Sequence, residues 1–174
     1  MQSVAIQERT NLELHNELIK RAEDLIPVLK ARSEAANEDR RIPKETIQDF
    51  KDAGFFKILQ PKQYGGFELD PHTFSEVQLR VAQGCMSTAW VLGVVGIHPF
   101  QLALYDDKAQ QEIWGEDIDT LVSSSYAPMA QVTPVEGGFN ISGHWPVSYT
   151  HLRAHETDSY LVCRLLLEKT QIKT

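Results

Sequence analysis

The feature that most constrains this chain is a change of period near Leu121. Before it, apolar residues recur at three- and four-residue steps; after it, they alternate. Leu14, Leu18, Ala22, Leu25 and Leu29 fall on one stripe between charged residues, the pattern of a long amphipathic helix. From Leu121 the chain reads LVSSSYAPMAQVTPVEGGFNISGHW, with two β-type runs, AQVTPV and FNISGHW, joined by Glu136-Gly137-Gly138 in the manner of a hairpin. The two periods bury different faces, so the expected fold is α+β with helices first and a sheet last.

Within the helical part, punctuation residues set the expected boundaries. Pro27 lacks a helix donor and predicts a kink or a joint near Leu25-Ile26. Pro43 suits the first turn of a second helix, PKETIQDFKDAG, with Ile47 and Phe50 inward and Gly54 as its stop. FFKILQPKQYGGFELDP then carries a short apolar run into a loop, where Gly65-Gly66 supply backbone freedom between Pro61 and Pro71. Asp70 is placed to cap the next helix, whose apolar face is expected to hold Phe74, Val77, Leu79 and Val81. Ser87 is the expected cap of TAWVLGVVGIH, and FQLALYDDKAQQEIWG reads as helix up to Gly115. Pro99 disfavours helical geometry at the residue before it, so His98 belongs at a break between two buried helices.

Composition narrows the function. With 42% hydrophobic and 24% charged residues, 174 residues can build one globular domain or part of a larger one. A formal net charge of −7 without a Lys/Arg cluster disfavours nucleic acid and anionic membrane surfaces as partners. The most apolar segment, Ala89 to Tyr105, is interrupted by His98, Pro99 and Gln101, whereas about 20 apolar residues are needed to cross a bilayer. Two cysteines, Cys85 and Cys163, lack CxxC spacing, and no apolar leader opens the chain; both features predict a cytoplasmic protein. His151 and His155 have zinc-like spacing near His144 and Cys163, but no acidic general base accompanies them, and no metal is expected.

His98 is the candidate with the most chemistry. At the Pro99 break it is either a core imidazole bonded to a backbone carbonyl or an acid–base group, since imidazole titrates near neutral pH. Trp90 precedes it by two helical turns, a spacing that places the two near one face; a core position is the plainer account of a lone tryptophan.

Taken in order, PKQYGG, STAW with His98 eight residues beyond its tryptophan, SSSYAP, a Gly-Gly hairpin and SGHWP resemble the acyl-CoA dehydrogenase superfamily over roughly Asn11 to Pro146. SSSYAP and His98 make the chain most similar to the oxygenase components of two-component flavin-dependent monooxygenases that hydroxylate phenols. The resemblance implies an all-α N-terminal domain over residues 1–118 and the start of a β-barrel domain over 119–146, with the family's C-terminal helical bundle missing. It implies reduced flavin (FMNH2 or FADH2) as cofactor, an aromatic substrate with O2, a separate flavin reductase, and a homotetramer for the full-length protein. In that setting His98 is the catalytic residue, and Trp90, Ser124, Tyr126 and Trp145 bind the cofactor. Strand alternation sends Ser124 and Tyr126 to one side and Ser123 and Ser125 to the other.

Beyond Pro146 the family pattern is lost. Where a serine is expected near the flavin after Trp-Pro, the register offers Tyr149, with Ser148 beside it. VSYTHLRAHETDSYLVCRLLLEKT resembles a peptide that recurs at the ends of unrelated translated sequences and derives from sequencing-adapter DNA, so residues 147–174 are expected to be a non-native tail. The expectation is therefore an oxygenase fragment that does not turn over as written. Two alternatives are a fragment of an FAD-dependent acyl-CoA dehydrogenase and a non-catalytic helical interaction module using the acidic first helix.

Overall fold

Helix α1, Gln2–Glu38, continues through Pro27 for 37 residues. The computed structural model describes residues 2–122, 131–135 and 138–142. The joint expected at Leu25-Ile26 does not form, and the reason lies in where the missing hydrogen bond falls. Pro27 deprives the Glu23 carbonyl of its donor, yet Glu23 and Pro27 are both exposed and water reaches that side. On the opposite side Leu18 and Ala22 before the proline, and Leu29 after it, are fully buried. Burying each leucine contributes roughly 1.5–3 kcal/mol, enough to offset the roughly 3 kcal/mol cost of an interior proline.

Helix α2, Lys44–Asp52, follows Pro43, which stands at the capping position just before the first turn expected for it, and buries Thr46 and Phe50, while Ile47 is only half-buried. Arg32 of α1 donates to Thr46 Oγ1 at 3.1 Å and to Asp49 Oδ2 at 2.5 Å, tying α1 to α2. Gly54 ends the helix with φ 78°, a left-handed conformation that a side chain would strain. Arg21 donates to the adjacent Ala53 carbonyl at 3.0 Å. The Phe55 and Phe56 rings, in a single 3-10 turn (Phe55–Lys57), pack 5.5 Å and 6.2 Å from Phe50.

The PKQYGG stretch is a tightly closed loop around a second 3-10 turn, Lys62–Tyr64. Gly65 is left-handed with φ 75°. Gly66 serves a different purpose: a Cβ there would lie 2.0 Å from the Gln60 carbonyl oxygen. The chain doubles back at this point, with Phe67 N donating to Lys57 O at 2.8 Å, Leu69 N to Ile58 O at 2.9 Å and Glu68 N to Gln60 O at 3.0 Å. The Gln60 side chain closes the loop by donating to Tyr64 O at 2.7 Å.

Helix α3, Pro71–Gly84, begins where Asp70 Oδ1 accepts from Thr73 N at 3.1 Å. It packs along α1 and buries Phe74, Val77 and Val81. Leu79 corrects the expectation: it is 56% exposed, because a residue two places from Val77 lies on the far side of a helix. Helix α4, Met86–Gly96, follows after Cys85 alone. Ser87 is therefore inside the helix and is not its cap. Cys85 holds the extended capping position at φ −158°, ψ 117°, its N–H bonded back to Val81 O at 3.1 Å.

Helix α5, His98–Leu102, completes the first of two compact units, which meet in sequence between Leu104 and Tyr105. The second unit opens with helix α6, Asp107–Trp114, capped by Asp106 Oδ1 accepting from Ala109 N at 3.2 Å. That cap breaks what the sequence suggests is one helix from Phe100 to Gly115. Strands β1, Gln131–Val135, and β2, Gly138–Ser142, pair antiparallel, with Pro134 opposite Phe139 and Gly138 opposite Val135. Gly138 thus opens β2. The described residues form a helical N-terminal domain and a two-stranded hairpin, and none of their helices is long and apolar enough to cross a membrane.

Candidate active site

Proline chemistry builds the turn that carries His98. Residue 99 has no N–H, so the Val95 carbonyl loses the donor that a continuing helix would give it. Helix α4 stops at Gly96, and Phe100 N turns instead to Ile97 O at 3.1 Å while Ala103 N reaches Pro99 O at 3.0 Å. His98 is 2% exposed at this break. Its Nδ1 lies 2.5 Å from the Val94 carbonyl oxygen. A carbonyl can only accept, so Nδ1 is the protonated nitrogen.

Burial pushes the His98 imidazole below its usual 6.5, outweighing the carbonyls of Val94 and Val95, which favour the charged ring. The ring is neutral at neutral pH, with Nε2 as its acceptor atom. A consequence for stability follows with a definite sign. Below pH 6.5 the unfolded chain takes up a proton at His98 that the folded chain refuses, so stability falls as pH drops through this window and levels off below the folded value. The slope is at most about 1.4 kcal/mol per pH unit. Urea midpoints for wild type and His98→Gln, compared at about pH 5 and about pH 7, check this. The wild type should lose more stability on acidification than the variant; equal losses would contradict the burial effect.

Trp90 is not a core residue: it is 64% exposed, and Met86, one turn before it on α4, is 70% exposed. The helix buries Thr88, Ala89, Leu92, Val95 and Gly96 and turns its other side outward. The expectation of two wholly buried helices is thus corrected, as is the placement of Trp90 and His98 on one face, because α4 ends before His98 and the two differ sharply in exposure. Gln78 of α3 sets the seat of α4 by donating to Ala89 O at 3.2 Å. Gly93 admits that amide, since a Cβ there would lie 2.1 Å from Gln78 Nε2. Met86 and Trp90, four residues apart on α4, are exposed side by side, and Phe100 (42%) and Leu104 (74%) are exposed beyond the break. Ser124, Tyr126 and Trp145, like His144, His151, His155 and Cys163, lie outside the described residues.

The chain belongs to the family described as acyl-CoA dehydrogenase, N-terminal domain, which matches residues 13–118. Over 123 residues it is 46% identical to the flavin-dependent monooxygenase, oxygenase subunit HsaA, of Mycobacterium tuberculosis, a match covering 71% of this chain and 31% of the relative. The crystal structure of that HsaA monooxygenase superposes with a TM-score of 0.74 at 43% identity, over 77% of this chain and 37% of the other. The oxygenase component of p-hydroxyphenylacetate 3-hydroxylase from Acinetobacter baumannii is 34% identical over 128 residues, 74% of this chain and 30% of the relative. XiaF from Streptomyces sp., solved in complex with FADH2 and glycerol, gives a TM-score of 0.75 at 26% identity, over 81% of this chain and 36% of the other. The chain spans about a third of the length of the curated relatives it matches.

Proposed function

We propose that this chain is the N-terminal part of the oxygenase component of a two-component monooxygenase that uses reduced flavin and O2 to hydroxylate a phenolic substrate. The observation that carries the reading is the buried neutral His98, whose Nδ1 is engaged by Val94 O. A phenolic hydroxyl at Nε2 would give up its proton there, and the electron-rich ring that results is the better nucleophile. Support comes from relatives whose names include flavin-dependent oxygenase subunits, and from a similar structure that holds FADH2.

Reduced flavin, when bound, supplies the electrons that activate O2. The exposed apolar side chains of Met86 and Trp90 suit a flat aromatic ring system. Ser124 and Tyr126 are our candidates to hydrogen-bond its polar edge, with Trp145 packing beside it. In this reading the helical domain extends over 1–118 and the hairpin begins a β-barrel domain. A C-terminal bundle would complete a homotetrameric, cytoplasmic enzyme served by a separate flavin reductase. The family match favours one alternative, an FAD-dependent acyl-CoA dehydrogenase fragment.

Anaerobic titration with reduced FAD or FMN tests the assignment. The 174-residue chain should bind weakly, since it spans about a third of its relatives, whereas an oxygenase of their full length should bind stoichiometrically. Tight stoichiometric binding by the short chain contradicts the incomplete site, and no binding by the long one contradicts the flavin assignment.

A further inference from the structure

We propose that Gln78 is a positioning residue: its amide, seated in the space that Gly93 leaves open, fixes which side of α4 faces α3 and so turns Met86 and Trp90 outward. The inference rests on the functional reading above for what that outer face is for, while the role of Gln78 stands on the contact between the two helices.

Burial by itself does not choose the face of α4. In MSTAWVLGVVG apolar residues stand on every side, so the helix could bury either of two stripes. The stripe that faces inward holds Thr88, Ala89, Leu92, Val95 and Gly96, and the side left outside begins with Met86 and Trp90. By area alone the outcome would be reversed, since a tryptophan and a methionine have more apolar surface to remove from water than an alanine and a glycine. A directional contact is needed to decide it.

Gln78 provides that contact. Its Nε2 donates to Ala89 O, a carbonyl within α4, at 3.2 Å. A helical carbonyl has a second lone pair for such a bond. The amide lies against Gly93, where a Cβ would come 2.1 Å from Nε2 and 2.9 Å from Cδ. One turn earlier on α3, the Phe74 ring fills the same kind of space at Gly96, where a Cβ would come 2.6 Å from Cε2. Phe74 against Gly96 and Gln78 against Gly93 therefore set the register of two helices that run in opposite directions. The apolar contact at Phe74 has no preferred direction, whereas the hydrogen bond from Gln78 does. Turning α4 by one residue would carry Ala89 O away from the amide and bring Leu92 or Val94 to where Gly93 now stands. Either side chain would displace the amide and leave its N–H without this acceptor, at a cost in free energy.

Fluorine NMR of the 174-residue chain, with 5-fluorotryptophan at its three tryptophans, reads the outward face and needs neither flavin nor turnover. Trp90 is assigned by Trp90→Phe, and exposure is measured as relaxation by a soluble gadolinium chelate. In the wild type the Trp90 signal should relax faster with the chelate than that of Trp114, which is 1% exposed. Gln78→Leu keeps the size and removes the donor, so the two faces compete and the enhancement at Trp90 should fall about twofold. A folded Gln78→Leu chain with the wild-type enhancement overturns the proposal. Thermal midpoints give a second reading. Gly93→Ala should lower the wild-type midpoint by about 5–15 °C, because the methyl group displaces the amide. In Gln78→Ala the same change should raise the midpoint, because alanine is then only the better helix former. No fall in the wild type overturns the proposal without any change at Gln78, and an equal fall in both backgrounds overturns the pairing of Gly93 with the amide. Equal binding of reduced flavin by the full-length protein and its Gln78→Leu variant, with Trp90 shown to turn inward, would instead remove the functional reading of that face and leave the role of Gln78 intact.

Discussion

On the proposed reading, His98→Gln in the full-length protein is expected to lower turnover by roughly 10²–10⁴-fold, the usual span for losing a positioned acid–base group. Glutamine is chosen because its amide can still donate toward Val94 O, so the end of α4 keeps a partner while proton acceptance is lost. The loss should fall on kcat and spare KM for the aromatic substrate, since the proton moves as the ring reacts and not when it binds. A substrate whose hydroxyl is already ionised at the assay pH should recover part of the lost rate. Steady-state kinetics across phenols of graded acidity measure this. Wild-type turnover in the variant, or an equal loss with every substrate, would contradict a base at residue 98.

Gly66→Ala is expected to destabilise the first unit by roughly 3 kcal/mol or more, at the upper end of overpacking penalties. The methyl group would fall 2.0 Å from Gln60 O and 2.6 Å from Gln60 Cβ. Relief by moving the carbonyl would break the bond from Glu68 N and disturb those from Phe67 N and Leu69 N, which close the loop. Gln60 itself is 3% exposed and Ile58 and Leu59 beside it are buried, so the strip has no room to shift outward. Thermal unfolding should show a drop in midpoint of about 10–20 °C. A drop of only a degree or two would mean that the loop is not held as described. Gly65→Ala, where the strain is conformational at φ 75° and the residue is exposed, should cost less, about 1 kcal/mol.

These two residues also mark what the sequence could and could not say. Local chemistry was legible: Gly54 at a stop and Asp70 as a cap stand where residue type alone placed them, and Pro43 falls just before the first turn expected for it. So was the α1 stripe through Leu18, Ala22 and Leu29. Decisions made by packing were not. The long helix survives Pro27 because its buried flank is anchored on both sides, and Ser87 loses its capping role because α3 and α4 are separated by Cys85 alone. Two glycines side by side read as flexibility, whereas Gly66 is there because its neighbour's carbonyl fills the space of a side chain.

At the site, a break was predictable from Pro99, although it falls at Ile97 and His98 opens helix α5 in place of the non-helical geometry expected of it; the exposure of Trp90 was not predictable. An apolar helix reads as buried all round, and only the packing against α3 decides which side faces outward. Of the two accounts of His98 weighed from sequence, the structure shows the core one, a buried imidazole bonded to a backbone carbonyl, while the acid–base role belongs to the proposed function.

The most direct test of a reduced-flavin oxygenase against an acyl-CoA dehydrogenase is anaerobic spectroscopy of the full-length protein. Mixed with reduced flavin, then with O2 and a phenol, it should return oxidised flavin and hydroxylated product in equal amounts, and an acyl-CoA should leave bound oxidised flavin unchanged. Bleaching of the oxidised flavin by an acyl-CoA, without hydroxylation of any phenol, would contradict the account.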